Sequence, residues 1–222
     1  MIFDPPLIPA KLIRRYNRFL ADVTLEDGSE VTAHCANPGT MLSVNMPGST
    51  VWLQPNDNPK RKLRYSWKLI ELTGGHYAGV DTGVPNTITG EALIEARIGA
   101  VAAYKTVRPE VKYREGSRVD FLLTEPGLPD CYLEVKNVHL RREGTLAEFP
   151  DCVTARGAKH MGDLAAMVAE GHRAILLYVI QRTDCDAFAI AADLDPAYAR
   201  AAAEARAATL RARCAARIEP AD

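Results

Sequence analysis

The sequence predicts an α/β (α+β) chain of two units. The first is a five-stranded antiparallel β-barrel over residues 1–82, of the OB type or another five-stranded kind. The second, over residues 83–222, is an α/β sandwich with a mixed sheet. Three observations carry this expectation. From Tyr16 to Val80 apolar and polar residues alternate, as half-buried strands require. Beyond Asp81-Thr82-Gly83-Val84-Pro85-Asn86 the spacing turns helical and then switches between strands and helices. The run Ala174 to Ile180 is wholly apolar, as a strand covered on both faces must be.

In the first unit Phe19, Ala21, Val23 and Leu25 share one parity, and Val31, Ala33 and Cys35 repeat it, so two adjacent strands flank the turn at Gly28. A loop centred on Gly28 pairs Leu25 with Val31 and Val23 with Ala33, which keeps apolar residues together. A two-residue turn at Asp27-Gly28 would not. Further strands read at Thr50 to Gln54, Lys62 to Leu72 and His76 to Val80, separated by turn-forming Pro, Asn and Gly. Along Lys62 to Leu72, Leu63, Tyr65, Trp67 and Leu69 take one face. Lys62, Arg64 and Lys68 take the other, a basic face. Trp52, Tyr65 and Trp67 share parity with core positions and are expected in the barrel core.

In the second unit Glu91 to Ile98 reads as a helix, Val111 to Leu123 and Cys131 to Val138 as strands, and about Val153 to Glu170 as a helix. In that helix Met161, Leu164, Ala165 and Val168 make one buried stripe, with Gly171 closing it. The buried strand Ala174 to Ile180 follows, then an edge-like strand at Ala187 to Ala191, a helix from Pro196 to about Ala208 and a last strand around Leu210 to Ile218.

Composition narrows the function classes. With 27 Lys+Arg against 28 Asp+Glu, any polyanion-binding surface must be a local cluster. The barrel unit has nine Lys+Arg against eight Asp+Glu. Five cysteines without a C-x-x-C pair argue against a disulfide framework and a thiolate zinc site, and five dispersed histidines argue against a histidine metal site. No apolar run approaches the ~20 residues of a membrane span, and the N-terminus lacks signal-peptide features, so a cytoplasmic, non-membrane protein is expected.

The segment Arg118-Val-Asp-Phe to Glu134-Val-Lys136 carries the chemistry. Glu134 and Lys136 are two apart and share a strand face. A hairpin centred on Gly127 sets Asp120 opposite Glu134 with Cβ atoms ~5 Å apart. Facing carboxylates repel unless a cation lies between them, and Mg²⁺ or Mn²⁺ accepts carboxylates, water and phosphate oxygens together. Asp120 and Glu134 are thus expected as metal ligands, with Glu95 on the preceding helix as a possible third and Glu91 competing. Lys136 would orient or deprotonate a metal-bound water, and the reaction would be phosphodiester hydrolysis. On the long helix Arg156, Lys159, His160 and Asp163 recur at i, i+3, i+4 and i+7, gathering phosphate contacts on one face. On the barrel Arg14, Arg15, Tyr16 and Arg18, with Lys60, Lys62, Arg64 and Lys68, would line a basic groove for nucleic acid. Asn37-Pro38-Gly39-Thr40 reads as a turn whose polar groups face a ligand or the second unit.

Five stretches together resemble the sugar fermentation stimulation protein A family: Leu12-Ile-Arg-Arg-Tyr-Asn-Arg-Phe-Leu-Ala-Asp-Val, His34-Cys-Ala-Asn-Pro-Gly-Thr-Met, Arg118-Val-Asp-Phe, Asp130-Cys-Tyr-Leu-Glu-Val-Lys-Asn-Val and Phe149-Pro-Asp-Cys-Val-Thr-Ala-Arg-Gly-Ala-Lys-His. The resemblance runs over nearly the whole chain. It implies an N-terminal OB fold, a restriction-endonuclease-like (PD-(D/E)xK) α/β domain, DNA binding and a link to regulation of sugar, notably maltose, metabolism. It places the nuclease motif on Asp120, Glu134 and Lys136, and less firmly on Glu95. The expectation is a Mg²⁺-dependent nuclease acting on DNA, with RNA as another possible substrate. A non-catalytic DNA-binding regulator is the main rival, and a sugar-binding module a weaker one.

Overall fold

In the computed structural model, which describes residues 1–205 and the backbone of Thr209–Ala215, the first unit contains β1 (Ile8–Tyr16), β2 (Leu20–Leu25), β3 (Glu30–Cys35), β4 (Thr50–Pro55), β5 (Tyr65–Leu72) and β6 (His76–Gly79). The order β3-β2-β1-β4-β5 closes on itself because β5 also pairs with β3, in parallel, through His34–Ser66 and Cys35–Trp67. Five strands therefore make the barrel, with no free edge along it. Its membership differs from the expected set. β1 completes the barrel, whereas β6 pairs with the second half of β5 and lies alongside. β1 escaped the alternation pattern because Leu12 faces Val23 and Arg14 faces Asp22, leaving Ile13 as the extra residue of a β-bulge.

The β2–β3 hairpin keeps the expected parity and odd loop, with Gly28 at φ 83°. Its register differs: Val31 meets Val23 rather than Leu25, and Ala33 meets Ala21. A shift that preserves parity keeps Ala21, Val23 and Ala33 on the core face, while Phe19, just before β2, is exposed. Ala21, Val23, Ala33, Val51, Leu53, Trp67 and Ile70 accordingly lose all solvent contact. Trp52 and Tyr65 are only partly buried. The segment from Lys60 to Arg64 precedes β5, so the expected basic face holds only Lys68 on the strand itself.

The second unit runs α1 (Val84–Ile94), β7 (Thr106–Arg114), β8 (Ser117–Thr124), β9 (Cys131–Val138), β10 (Leu140–Arg141), β11 (Leu146–Phe149), α2 (Ala155–Ala169), β12 (Arg173–Ile180), β13 (Ala187–Ile190), α3 (Pro196–Ala205) and β14 (Thr209–Ala215). The expected ends of α3 at Ala208 and of the last strand at Ile218 lie outside the described residues. α1 starts earlier than expected because Pro85 opens its first turn, where proline's missing N–H costs nothing. The single strand expected over Val111 to Leu123 is two, β7 and β8, turned at Glu115-Gly116 with Gly116 at φ 68°.

The main sheet, β14-β12-β9-β8-β7, is mixed: β12 lies parallel to β9 and β14, and the other pairs are antiparallel. β13 pairs with β11 in a separate three-stranded sheet. Leu93 of α1 packs with Phe121, Leu133 and Val135 on one face of the main sheet. Met161, Leu164 and Met167 of α2 and Tyr198 of α3 pack with Tyr132 and Val138 on the other. Thr154 caps α2 by accepting from Gly157 N–H, and Gly171, at φ 91°, ends it. Alternation along β9 therefore sends Glu134 and Lys136 toward α2.

The two units share backbone hydrogen bonds. Gly79 N–H donates to Gln181 O at 2.8 Å and Thr183 N–H to Tyr77 O at 3.0 Å. A Cβ on Gly79 would lie 2.6 Å from Gln181 Oε1 and 3.1 Å from its Cβ. The Gln181 amide is held by Asn137 Oδ1 at 2.8 Å. Gly79→Ala is therefore expected to cost about 1–3 kcal/mol by forcing this junction apart, measurable by urea unfolding.

Candidate functional site

β8 and β9 pair through Phe121–Leu133, Leu122–Tyr132 and Leu123–Cys131, a register centred on Gly127, which adopts φ 82°. The next step along that register sets Asp120 across from Glu134. There the regular ladder stops, and Val135 N–H donates to Asp120 Oδ2 at 2.6 Å. The other oxygen, Oδ1, accepts from the Asn86 side-chain amide at 2.8 Å. Asn86 sits in the first turn of α1.

The Glu134 side chain is 5% exposed and that of Lys136 12%. Glu134 Oε1 accepts from Lys136 Nζ at 2.8 Å and also from His160 Nδ1 on α2. Glu134 Oε2 is buried and has no hydrogen-bond partner. Burial pushes the Glu134 carboxyl up, but the His160 hydrogen bond and the Lys136 charge outweigh it and hold the group below its ordinary value. Asp120 goes the other way. Burial first, then the Glu134 charge, raise it above 3.8 despite the Val135 and Asn86 hydrogen bonds. The two shifts run in opposite directions: His160 and Lys136 set the one at Glu134, and the Glu134 charge adds to burial in the one at Asp120.

This donor set fits an oxygen-ligated divalent ion. A buried carboxylate oxygen without a donor costs free energy that a cation would recover, and Asp120 supplies a second carboxylate. Among the described residues no three His, Cys, Asp or Glu side chains converge into a metal cage. Water and substrate oxygens would have to complete the shell, a coordination typical of Mg²⁺.

Other expected site residues lie elsewhere. Glu95 is the C-cap of α1, nine residues, or about 13 Å of helix rise, from Asn86. Its exposed side chain pairs with Arg97 at 2.6 Å. Glu91 pairs with the N-terminal amine at 3.0 Å. Neither joins the carboxylate pair. On α2 Arg156 and Lys159 are exposed, and Lys159 Nζ binds Asp163 at 2.8 Å and Ser117 Oγ. His160 is not on that solvated face. It shares the buried edge with Leu164, four residues on, and turns inward to Glu134.

On the barrel, Arg15 is spent on structure: Nη2 donates to Asn37 O at 2.7 Å and Gly39 O at 3.0 Å, and Nε to Arg18 O at 3.0 Å. Arg14 pairs with Asp22 at 2.9 Å and lies over the Tyr16 ring. Arg18 occupies the β1–β2 turn at φ 62°, exposed. Lys60, Lys62 and Arg64 are exposed. Arg61 and Lys68 line a polar cleft of about 290 Å³ with His34, Gln54, Ser66 and Asp81. Lys68 is neutralised there by Asp81 at 2.5 Å. Beside the cleft, Phe19 stacks on His34 with 6.4 Å between centroids. The Asn37–Thr40 turn faces the second unit, where Thr40 Oγ1 donates to Asp151 O at 3.0 Å and Met41 N–H to Asp151 Oδ2 at 3.1 Å.

Two partners of the carboxylates lay beyond sequence reasoning. Asn86 ends the Asp81–Asn86 run, ahead of the point where the spacing turns helical. For His160 one signal existed: its i,i+4 relation to Leu164 puts it at the edge of the apolar stripe.

Comparison with known proteins agrees with this architecture. Residues 13–80 match the family model described as the SfsA N-terminal OB domain, and residues 83–219 match the sugar fermentation stimulation protein RE domain. The chain is 61% identical over 215 residues to a sugar fermentation stimulation protein homolog of Dinoroseobacter shibae, covering 96% of this chain and 88% of that protein. It is 62% identical over 207 residues to the Ruegeria pomeroyi homolog, covering 93% and 90%. A solved structure, that of Pyrococcus furiosus SfsA in complex with Ca²⁺, matches with a TM-score of 0.84 at 25% identity, over 94% of this chain and 87% of the other. No helix among the described residues is long and apolar enough to cross a membrane. Matched in both its units and along nearly its whole length by named relatives, the chain belongs to the sugar fermentation stimulation protein family.

Proposed function

We propose that this protein binds DNA, with RNA as a second possible substrate, and hydrolyses phosphodiester bonds with Mg²⁺ or Mn²⁺ held by Asp120 and Glu134. The observation that carries the reading is the one-sided Glu134 carboxylate. Two cationic or polar donors crowd Oε1 while buried Oε2 has none. A purely structural carboxylate gains nothing from that arrangement. The Ca²⁺ complex of the Pyrococcus relative supports a divalent site in this fold.

A divalent ion held there would supply Lewis-acid polarisation of the phosphodiester and a lowered pKa for attacking water. The chain's own residues do the rest. Asn86 and Val135 N–H fix the Asp120 carboxylate. Lys136, at the rim of the pair, holds a charge that can neutralise a phosphate oxygen or position water. Exposed Arg156, hydrogen-bonded to His160 at 3.4 Å, stands ready for a neighbouring phosphate. The barrel adds exposed Arg18, Lys60, Arg61, Lys62 and Arg64, of which Arg61 lines the cleft with His34, the ring that Phe19 stacks on, and basic side chains together with exposed aromatics suit single-stranded nucleic acid.

One observation favours a second reading, a non-catalytic DNA-binding regulator of sugar metabolism. Glu95 and Glu91 are engaged elsewhere, and among the described residues no third carboxylate joins the pair. Cleavage of labelled single- and double-stranded DNA and RNA with Mg²⁺, Mn²⁺ or EDTA separates the two. Metal-dependent cutting, lost in Asp120→Ala and Lys136→Ala, is the expected result. Salt-sensitive binding without cutting under any metal, unchanged in both variants, would leave the regulator.

A further inference from the structure

We propose that His160 is a positioning residue for the divalent-ion site: its Nδ1–H occupies Glu134 Oε1 and so leaves Oε2 as the ligand oxygen. This rests on the metal reading given above and extends it to a residue on the opposite element.

The tautomer follows from the partners. An ionised carboxylate only accepts, so the ring nitrogen facing Glu134 must carry a proton. Nε2 then accepts from Arg156 Nε, at 3.4 Å a long contact. The strong bond of this imidazole is therefore the one to Glu134. Position and burial are set by α2 itself. Thr154 starts the helix, buried Gly157 lets it lie close to Tyr198 of α3, and Met161, Leu164 and Met167 seat it on the sheet. The His160 side chain, 6% exposed, is carried inward with them.

A core-filling explanation does not account for the geometry. An apolar side chain at position 160 would extend the stripe, while the imidazole places a second donor on an oxygen Lys136 already serves. Satisfying the buried carboxylate for stability alone would put that donor on Oε2. Doubling it on Oε1 fixes the carboxylate plane instead and frees Lys136 to turn to a phosphate while Glu134 stays held. Such outer-shell partners typically tune metal affinity 10–100-fold.

The test is Mn²⁺ binding to the full chain by titration calorimetry, without nucleic acid, for wild type, His160→Asn, His160→Gln and His160→Leu, with EDTA melting curves to verify folding. An asparagine amide can stand in for Nδ1, whereas a glutamine amide reaches the position of Nε2. Binding by His160→Asn close to wild type, with His160→Gln and His160→Leu weaker by about 10–100-fold, is the expected pattern. If His160→Leu fails to fold, the Asn–Gln contrast carries the test. Wild-type affinity in the folded Gln or Leu variant, or an Asn variant as weak as Gln, would overturn the positioning role while leaving the metal site standing. Absence of Mn²⁺ binding by wild type would overturn both.

Discussion

Asp120→Asn is expected to raise the melting temperature of the metal-free protein at neutral pH while lowering metal-dependent cleavage by at least about 10³-fold, the scale of several kcal/mol of lost metal stabilisation. Burial and the Glu134 charge both disfavour an ionised Asp120. A neutral amide removes that conflict, and its carbonyl can still accept from Val135 N–H, with the Asn86 amide turned to offer its oxygen. Relieving such a site commonly yields about 0.5–2 kcal/mol, or roughly 2–4 °C per kcal/mol in a chain of this size. The sign with pH follows from the raised folded-state value. The stability that wild-type Asp120 contributes is full below 3.8 and is lost as pH rises through its folded pKa. The gap between variant and wild type should therefore close as pH falls toward 3.8 and be widest near neutrality. Mn²⁺ reverses the order: at 100 times its dissociation constant it would stabilise wild type by about 2.7 kcal/mol and leave the variant unmoved. Melting curves between pH 4 and 8, with EDTA or Mn²⁺, check all of this. A variant less stable than wild type in EDTA at neutral pH would show that the carboxylate serves the fold.

Asp184→Ala should be the most damaging single change at the junction of the two units. Asp184 accepts from Arg182 at 2.9 and 2.8 Å and also from Arg141 Nη1. Arg182 also donates to Ser43 Oγ at 3.1 Å and His139 O at 2.9 Å, linking the barrel's long loop to the residue just past β9. Both Asp184 and Arg182 are almost fully buried. Removing the carboxylate leaves a buried guanidinium uncompensated, at a cost of about 3–5 kcal/mol. Burial opposes the charge on Asp184, yet the hydrogen bonds and charges of Arg182 and Arg141 hold its carboxyl far below the usual range. Its contribution is accordingly present above 3.8 and lost only as pH falls through that depressed value. Urea unfolding at pH 7 measures the loss, and a change below about 1 kcal/mol would equate this pair with an ordinary exposed ion pair.

The carboxylate pair was legible because it depends on one short hairpin. Strand parity and a centre on Gly127 suffice to bring Asp120 opposite Glu134, and the observed Phe121–Leu133 pairing has that centre. Glu95 misled because a helix placed by apolar spacing from Glu91 onward missed its Pro85 start. The turn of α1 that meets Asp120 therefore carries Asn86, and the glutamate lies at the far end. The barrel arginines show another limit. Charge is visible in sequence, but its use is not: Arg15 spends its donors on Asn37 and Gly39 carbonyls, while Lys60 and Lys62 stay exposed.

Strand and helix periods, turn glycines and the facing of residues within one hairpin are local properties. The order of amino acids was enough for a barrel followed by an α/β unit, and for the hairpin centre that sets Asp120 across from Glu134, with Lys136 two residues on along the same strand. Barrel closure by the bulged β1, the switch of His160 from solvent face to Glu134, and the bare Oε2 were decided only in three dimensions. His160 lies 26 residues from Glu134 and Asn86 lies 34 from Asp120. Contacts of that range are set by how helices seat on the sheet, through packed volumes and buried hydrogen bonds that no local periodicity encodes.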